Sequence, residues 1–470
     1  MAEKLQETTL KKVKILFGFV VIALLTLYQN FNILYQGTKP PEILWAVLAV
    51  SALLLGKIWK DHGYRTLLLL YLIIVLRAYL GERERFWWGE YTFFYGLMAY
   101  LVCYPFAQAV DRDWLPKLLR IGGILWVISS TTLSALGVYS ALTGISLANI
   151  SNSAFIELSK GSVHTLHLYY APYTGAAIES YTIIIALILL LTSKGKAKKS
   201  LIILSIVILL LALSLSACRS AYIATGFSIG CFLSIVIFNK HHFFRPVKKP
   251  KVIFFKGIVI ICLVVCITTI TASSYIMLSK TRDWLFDVRN YGLLPAAHAE
   301  ETEKEIIKIR EKHLVSSDGT LYLSGRDRIW MRVFQYLKEN PSLLLKGASV
   351  IAAMDGPNNI SNGRAYPDAH SLYVQTLLEC GIPGLLLLLI YLGYFIIHCI
   401  RIWRSTCSPL WIKLLPLIPI NILLIALVEC IPCIIYGLPN LYHLHLMIGV
   451  TALYGKESKI TAKTQKELVV

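Results

Sequence analysis

Charge is scarce in this chain. Only 16% of its 470 residues are Asp, Glu, Lys or Arg, where a soluble domain carries about a quarter. Acids are scarcer than bases, 27 against 46, which leaves a net charge of +19. A cysteine framework is also missing. None of the ten cysteines lies in the polar stretch 280–369; all sit in or beside apolar runs. Cys430-x-x-Cys433 has no second ligand pair, so it reads as small buried residues and not as a redox or metal motif. There is no internal repeat, low-complexity tract or interdomain linker. The missing repeat weighs against a transporter, whose fold is commonly built from repeated halves. The chain offers no carboxylate cluster suited to hold a divalent cation. The expectation is therefore no metal and no cofactor.

Apolar residues fill the space that charge leaves. They make up 56% of the chain, and the mean hydropathy is +0.63. Crossing a bilayer takes about 20 such residues in a helix. About twelve runs qualify: 13–35, 42–58, 66–80, 91–110, 117–143, 173–192, 200–216, 220–238, 255–279, 371–398, 411–430 and 434–454. Backbone groups in lipid must be satisfied within the segment, so these runs predict helices. The expected fold is an all-α polytopic membrane protein. It has about twelve transmembrane helices in a single membrane domain, 1–470, and one large, partly helical external loop, 280–369. The first run follows Lys4, Lys11, Lys12 and Lys14. It is too long for a cleaved signal core and no A-x-A site follows, so it reads as an uncleaved span.

The basic excess follows topology and carries no nucleic-acid signal. Alternate short loops hold Lys57/Lys60/Arg65, Arg112/Lys117/Arg120, Lys194–Lys199, Lys240–Lys256, Arg401/Arg404/Lys413 and Lys456–Lys466. The positive-inside rule places these loops and both termini in the cytoplasm and 280–369 outside.

The polar stretch carries Arg282, Arg289, Arg326, Arg328 and Arg332 and ends at Asp368-Ala369-His370. Residues 299–313 run from acidic to basic, as a helix dipole favours. A second helix is expected near Ser324, where Ser324-x-x-Asp327 resembles a capping box. It would show Ile329, Trp330, Val333, Phe334 and Leu337 on one face and stop at Pro341. Such a helix either lies on the membrane surface or packs over the bundle. Arg326 falls in its first turn, where free N–H groups favour an anion.

Three residues stand out. Arg219 sits in the tight turn between two apolar runs, where it reads either as a snorkelling anchor or as an anion ligand. Arg326 follows Gly325 and reads as a phosphate ligand or as a surface partner of Asp327. His370, just before a span, reads as a structural histidine or a proton carrier that Asp368 would orient. Glu379 in the same span is a functional candidate by its depth. Gly381-Ile382-Pro383-Gly384 predicts an interrupted helix. Tyr169-Tyr170-Ala171-Pro172-Tyr173 reads as an interfacial belt or as a stacking surface for sugar rings.

Together these segments resemble a family. Ser214–Ala221 is similar to the L-S-x-S-R-[GS] turn of O-antigen ligases and related polymerases. Ser324-Gly325-Arg326 through Trp330, Pro341 and Gly347 is similar to their S-G-R-x-x-x-W…P…G-x-G segment. His370-Ser371-Leu372-Tyr373 through Glu379 and Gly381–Gly384 is similar to H-[NS]-x-[YF]-L-x-x-x-x-E-x-G-[IL]-x-G. The resemblance covers about 200–400. Two departures stand in it: Cys218 replaces a small or hydroxyl residue, and Ser349 replaces the second glycine of G-x-G.

The resemblance implies an O-antigen ligase-like glycosyltransferase in the bacterial cytoplasmic membrane. Its donor would be a glycan on undecaprenyl diphosphate and its acceptor a hydroxyl of lipid A-core type. It implies Arg219 and Arg326 as the clamp on the leaving diphosphate and His370 as general base. Arg328, Asp368, Glu379 and Tyr173 would be the substrate-binding residues. Alternatively, His370 positions the donor phosphate and Glu379 or the leaving group takes the proton. The rival readings are a repeat-unit polymerase, a lipid-linked sugar transporter and a non-catalytic assembly partner.

Overall fold

In a computed structural model of the chain, the described residues are 2–28, 42–56, 58–81, 97, 99–143, 172–215, 218–240, 261, 263–270, 326–348, 359–360, 364–365, 369, 371–428 and 439–467. Helices dominate them. In chain order they are α1 (Ala2–Ala23), α2 (Glu42–Gly56), α3 (His62–Gly81), α4 (Phe106–Ala109), α5 (Leu115–Thr143), α6 (Pro172–Thr192) and α7 (Lys196–Leu215). Then come α8 (Arg219–Lys240), α9 (Arg326–Glu339), α10 (Ser342–Lys346), α11 (Leu372–Arg404), α12 (Leu410–Leu414), α13 (Leu417–Ile425) and α14 (Pro439–Glu467). The described strands, Asn359–Ile360 and Arg364–Ala365, form one short antiparallel pair.

Among the described residues, five helices are long and apolar enough to cross a membrane: α5, α6, α7, α8 and α11. Two apolar runs differ from expectation. The run 91–110 is not one rod: a π-helical turn, Ala99–Cys103, leads into the four-residue α4. The run 411–430 is split into α12 and α13, with Pro416 as the N-cap of α13; a proline inside a helix removes a hydrogen bond and clashes with the turn before it. The final helix outlasts its apolar run and continues to Glu467.

Helix α11 is the organising element. It packs on α3, α14 and α10. Tyr64, Tyr100, Tyr104 and Tyr391 are buried where α3, the π-helical turn, α11 and α14 meet. Their rings lie within 5.0–6.1 Å of a neighbour, the offset range in which aromatic pairs attract.

Among the described residues, basic side chains from several of these loops meet at one end of the bundle. Lys456 pairs with Asp61, which lies between α2 and α3, and Arg112 pairs with Glu457. Lys413 Nζ donates to Asn239 Oδ1 at 2.9 Å, and Ser408 Oγ lies 3.1 Å from Ser458 Oγ. The chain's Asp-x-Asp, Asp111-Arg112-Asp113, sits here too, with Lys11 Nζ at 3.8 Å from Asp111 and 3.0 Å from Asp113.

Candidate active site

The opposite end of the bundle is assembled from the starts of α8, α9 and α11. Helix α9 begins at Arg326 and stops before Asn340-Pro341. Ser324 and Gly325 of the expected capping box lie outside the described residues, as does the side chain of Asp327. Ile329, Val333 and Leu337, four residues apart, are buried at 6%, 0% and 2% exposure. Val333 and Leu337 pack on Ala348, Ala369 and Leu378. The expected apolar face is narrower in the structure, because Phe334 is 50% exposed. Of the two expected placements, the helix packs on the protein. A row at i, i+4 and i+8 drifts across the helix surface, and Phe334 falls beyond the edge that α11 covers.

Two glycines lock the following turn to α11. Gly347 has φ 71° and Gly381 has φ 66°, backbone that glycine adopts without strain. A Cβ on Gly347 would strike the Glu379 carbonyl, and one on Gly381 would lie 2.7 Å from the Leu344 carbonyl. Between them Ala348 N donates to Leu378 O at 2.7 Å. In an unbroken helix that carbonyl would take the N–H of Ile382. The Gly381–Pro383 interruption frees it, and the segment after α10 uses it. The interrupted helix read from Gly381-Ile382-Pro383-Gly384 is what the structure shows.

A relay of hydrogen bonds then fixes both sides of position 370. Trp330 Nε1 donates to Ala369 O at 2.9 Å. Ala369 N donates to Gln375 Oε1 at 2.7 Å, and Gln375 Nε2 donates to Glu379 Oε1. Ser371 caps α11, and Leu372 N donates to Ala426 O at 3.0 Å. Glu379 is buried, at 3% exposure. His370 and Asp368 themselves lie outside the described residues.

Arg219 is the first residue of α8 and is half-buried. Its turn is held by Ser214 Oγ and Tyr222 OH, 3.0 Å apart, and by Cys218 Sγ and Ser220 Oγ, 3.3 Å apart. Cys218, Ala221 and Tyr222 pack on Ala176, Ala177 and Ile425. Ile425 adjoins Ala426, the acceptor of the Leu372 N–H. The end of α13 thus bridges the Arg219 turn to the segment beside position 370, and Trp330 bridges that segment to α9. Arg326, half-buried, opens α9. Arg328 lies in the first turn of α9 and Tyr173 in the first turn of α6, but neither side chain is among those described.

The sequence reading missed a buried polar layer beside the Arg219 turn. Ser180 Oγ lies 2.6 Å from Thr225 Oγ1 and donates to Asn421 Oδ1 at 2.9 Å. Asn421 Nδ2 donates to Ser228 Oγ at 3.1 Å. Next to Ser180, Glu179 accepts from Ser134 Oγ at 2.8 Å. Glu179, Ser180, Thr225, Ser228 and Asn421 are all at 0% exposure. The signal was present: an acid and an asparagine inside apolar runs mark function or helix association.

The arrangement suits anion binding. Two arginines open two helices, where the dipole adds positive potential, and guanidinium binds phosphate bidentately. Residues 204–389 match the family model for O-antigen ligase. No curated protein matches the chain. The matched segment takes in Arg219, Arg326, His370 and Glu379, so over residues 204–389 the chain matches the O-antigen ligase superfamily that its motifs resemble.

Proposed function

We propose that the protein is an O-antigen ligase-like glycosyltransferase, working at the end of the bundle remote from the basic loops. One observation carries this reading. The three motif-bearing segments of the family match, at Arg219, Arg326 and Ala369–Glu379, are tied together by the contacts of Trp330, Ile425 and Ala426. In this reading the chain has about twelve spans in the bacterial cytoplasmic membrane, both termini are cytoplasmic, and 280–369 is external.

The donor is a glycan on undecaprenyl diphosphate. The acceptor hydroxyl attacks the anomeric carbon as the carbon–oxygen bond to the diphosphate breaks. His370 takes the hydroxyl proton. Arg219 and Arg326 hold the charge that builds on the leaving diphosphate, fixed there before the reaction begins. Arg328 and Tyr173 contact donor or acceptor, Asp368 orients His370, and Glu379 anchors the start of α11 through Gln375. One displacement inverts the anomeric centre.

The test is what accumulates when the gene is deleted. A ligase leaves full-length glycan on the lipid carrier and an unmodified acceptor. Single repeat units in place of full-length glycan would assign the protein as a repeat-unit polymerase instead. Reporter fusions after Lys249 and near Asp318 test the sides: the first is expected inside and the second outside.

A further inference from the structure

A second site lies among α1, α5, α6, α13 and α14, on the half of the bundle near the basic loops. It is a cavity of about 330 Å³, within the size class of small-ligand pockets. Its walls include Ile185, Ile188 and Leu189 of α6 and Leu446 and Met447 of α14, and Trp126 and His443 line it too. Trp126 and His443 are nearly buried, at 2% and 7% exposure. Lys117 and Arg120, in the first turns of α5, also line it and are exposed. Nine residues of helix separate Lys117 from Trp126, about 14 Å of depth.

The polar atoms of the wall are engaged inside the protein. Trp126 Nε1 donates to Thr182 Oγ1 at 2.9 Å. Thr26 and Thr192 return their hydroxyls to Ile22 O and Ile188 O at 2.6 and 3.0 Å. His443 lies against Trp126 at a tilt, ring centroids 3.9 Å apart, and stacks on Tyr181 at 5.4 Å. The interior therefore asks for an apolar occupant. The mouth asks for an anion. The neighbouring acids are taken: Asp111 and Asp113 face Lys11, and Glu457 faces Arg112. Lys117 Nζ sits 4.6 Å over the ring of Trp114, and Trp411 also lines the cavity. Tryptophan beside a cation is the signature of the membrane–water boundary.

We infer that this cavity binds an anionic phospholipid from the leaflet on the basic-loop side. One acyl chain enters past Ile185 and Leu189 to Trp126, and the phosphate headgroup rests on Lys117 and Arg120. The site is separate from the glycan-transfer site and does not depend on that reading.

Delipidated full-length protein is titrated with phosphatidylglycerol and with phosphatidylcholine, and bound lipid is counted by native mass spectrometry. Wild type is expected to prefer phosphatidylglycerol. Exposed Lys117 and Arg120 tolerate replacement, and the Lys117→Gln/Arg120→Gln pair is expected to cut that preference about tenfold. Gly123→Leu is expected to weaken both lipids. A Cβ at 123 points toward Ile185 and Leu189, at 3.3 and 3.8 Å, so the leucine fills the cavity. Equal retention of the two lipids by wild type overturns the inference, as does a preference that survives in the charge pair. Stronger retention of a polyprenyl phosphate than of phosphatidylglycerol overturns the choice of occupant. Should Gly123→Leu fail to fold, the charge pair alone decides.

Discussion

The two ends of the bundle use charge in opposite ways. At the basic-loop end, Asp61 is enclosed by the protein, with its side chain at 1% exposure. It is met by Lys456, by Tyr104 OH at 2.9 Å, by Gln108 Nε2 at 3.3 Å, by Tyr394 OH at 3.4 Å and by the Tyr64 N–H at 3.1 Å. Five donors on one carboxylate tie α3, α4, α11 and α14 together. At the other end the half-buried arginines open helices, and the scaffold beneath them is made of glycine turns, backbone carbonyls, Gln375 and the Ser180–Asn421 layer, with the buried acids Glu379 and Glu179 hydrogen-bonded to Gln375 and Ser134. Charge enclosed by partners holds helices in place. Charge at a helix start adds to the positive potential of the helix dipole, which suits it to an anion.

The largest effect is expected at the arginines. Arg219→Ala or Arg326→Ala should abolish measurable transfer while protein level and melting temperature stay near wild type. Loss of one fixed donor to a developing anion typically costs about 10²–10³-fold, and each arginine offers several. Lysine should rescue poorly, since it lacks the planar fork. Full transfer by Arg326→Ala in reconstituted membranes would remove that residue from the site and erase the contrast.

His370→Ala should lower kcat by about 10²–10⁴-fold with donor affinity retained. The pH–rate profile should lose its limb near neutrality. If donor affinity collapses instead, His370 is a phosphate ligand and the proton goes elsewhere, with Glu379 next in line.

Gly347→Ala probes the scaffold beneath the arginines. The added Cβ meets the Glu379 carbonyl at a positive φ, so α10 must move off α11. An activity loss of about tenfold or more is expected, with a stability cost of about 1–3 kcal/mol for the strained backbone. The two can be separated by measuring transfer per folded molecule after a thermal-shift assay. Wild-type transfer per folded molecule would mean that α10 and α11 work independently.

Asp61→Asn should leave transfer per folded molecule closest to wild type and reduce stability. Breaking a buried ion pair costs about 3–5 kcal/mol, and the exposure of Lys456 discounts this to about 2 kcal/mol. Burial pushes the Asp61 carboxyl up, but Lys456, the Tyr64 N–H and the Tyr104 hydroxyl outweigh it, and the group titrates below its usual range. A depressed carboxylate stabilises fully above its unfolded pKa of about 4. That stability is lost as pH falls through the lower folded value. The gap in melting temperature between wild type and Asp61→Asn should therefore stay constant from pH 5 to pH 8. A gap that closes within that window would mean that the pair is not held as described.

Membership of a lipid-embedded class was written in composition, since long apolar runs with little charge have no other stable home. The α7–α8 turn, the start of α11 and its Gly-Pro interruption were equally legible, because each is a local event. Residues within a few positions of one another settle it. The end of α9 at Pro341 is of the same kind. The break between α12 and α13 had a local cause in Pro416 and was overlooked; the run was read by length alone.

Other features had no local signature. Nothing adjacent to Asp61 in the sequence marks it, and its partner lies 395 residues away. Glu179 and Asn421 were visible as polar residues in apolar runs, but their company on α5 and α8 was not. Trp330 fitted a helix face, and only packing revealed that its indole fixes the peptide before position 370. Hydropathy and turn chemistry, which act over one or two helical turns, set the helices from sequence alone. Which helix starts share an end of the bundle, and which charges are enclosed there, was decided by tertiary structure, because those choices depend on side-chain fit between segments far apart in the chain.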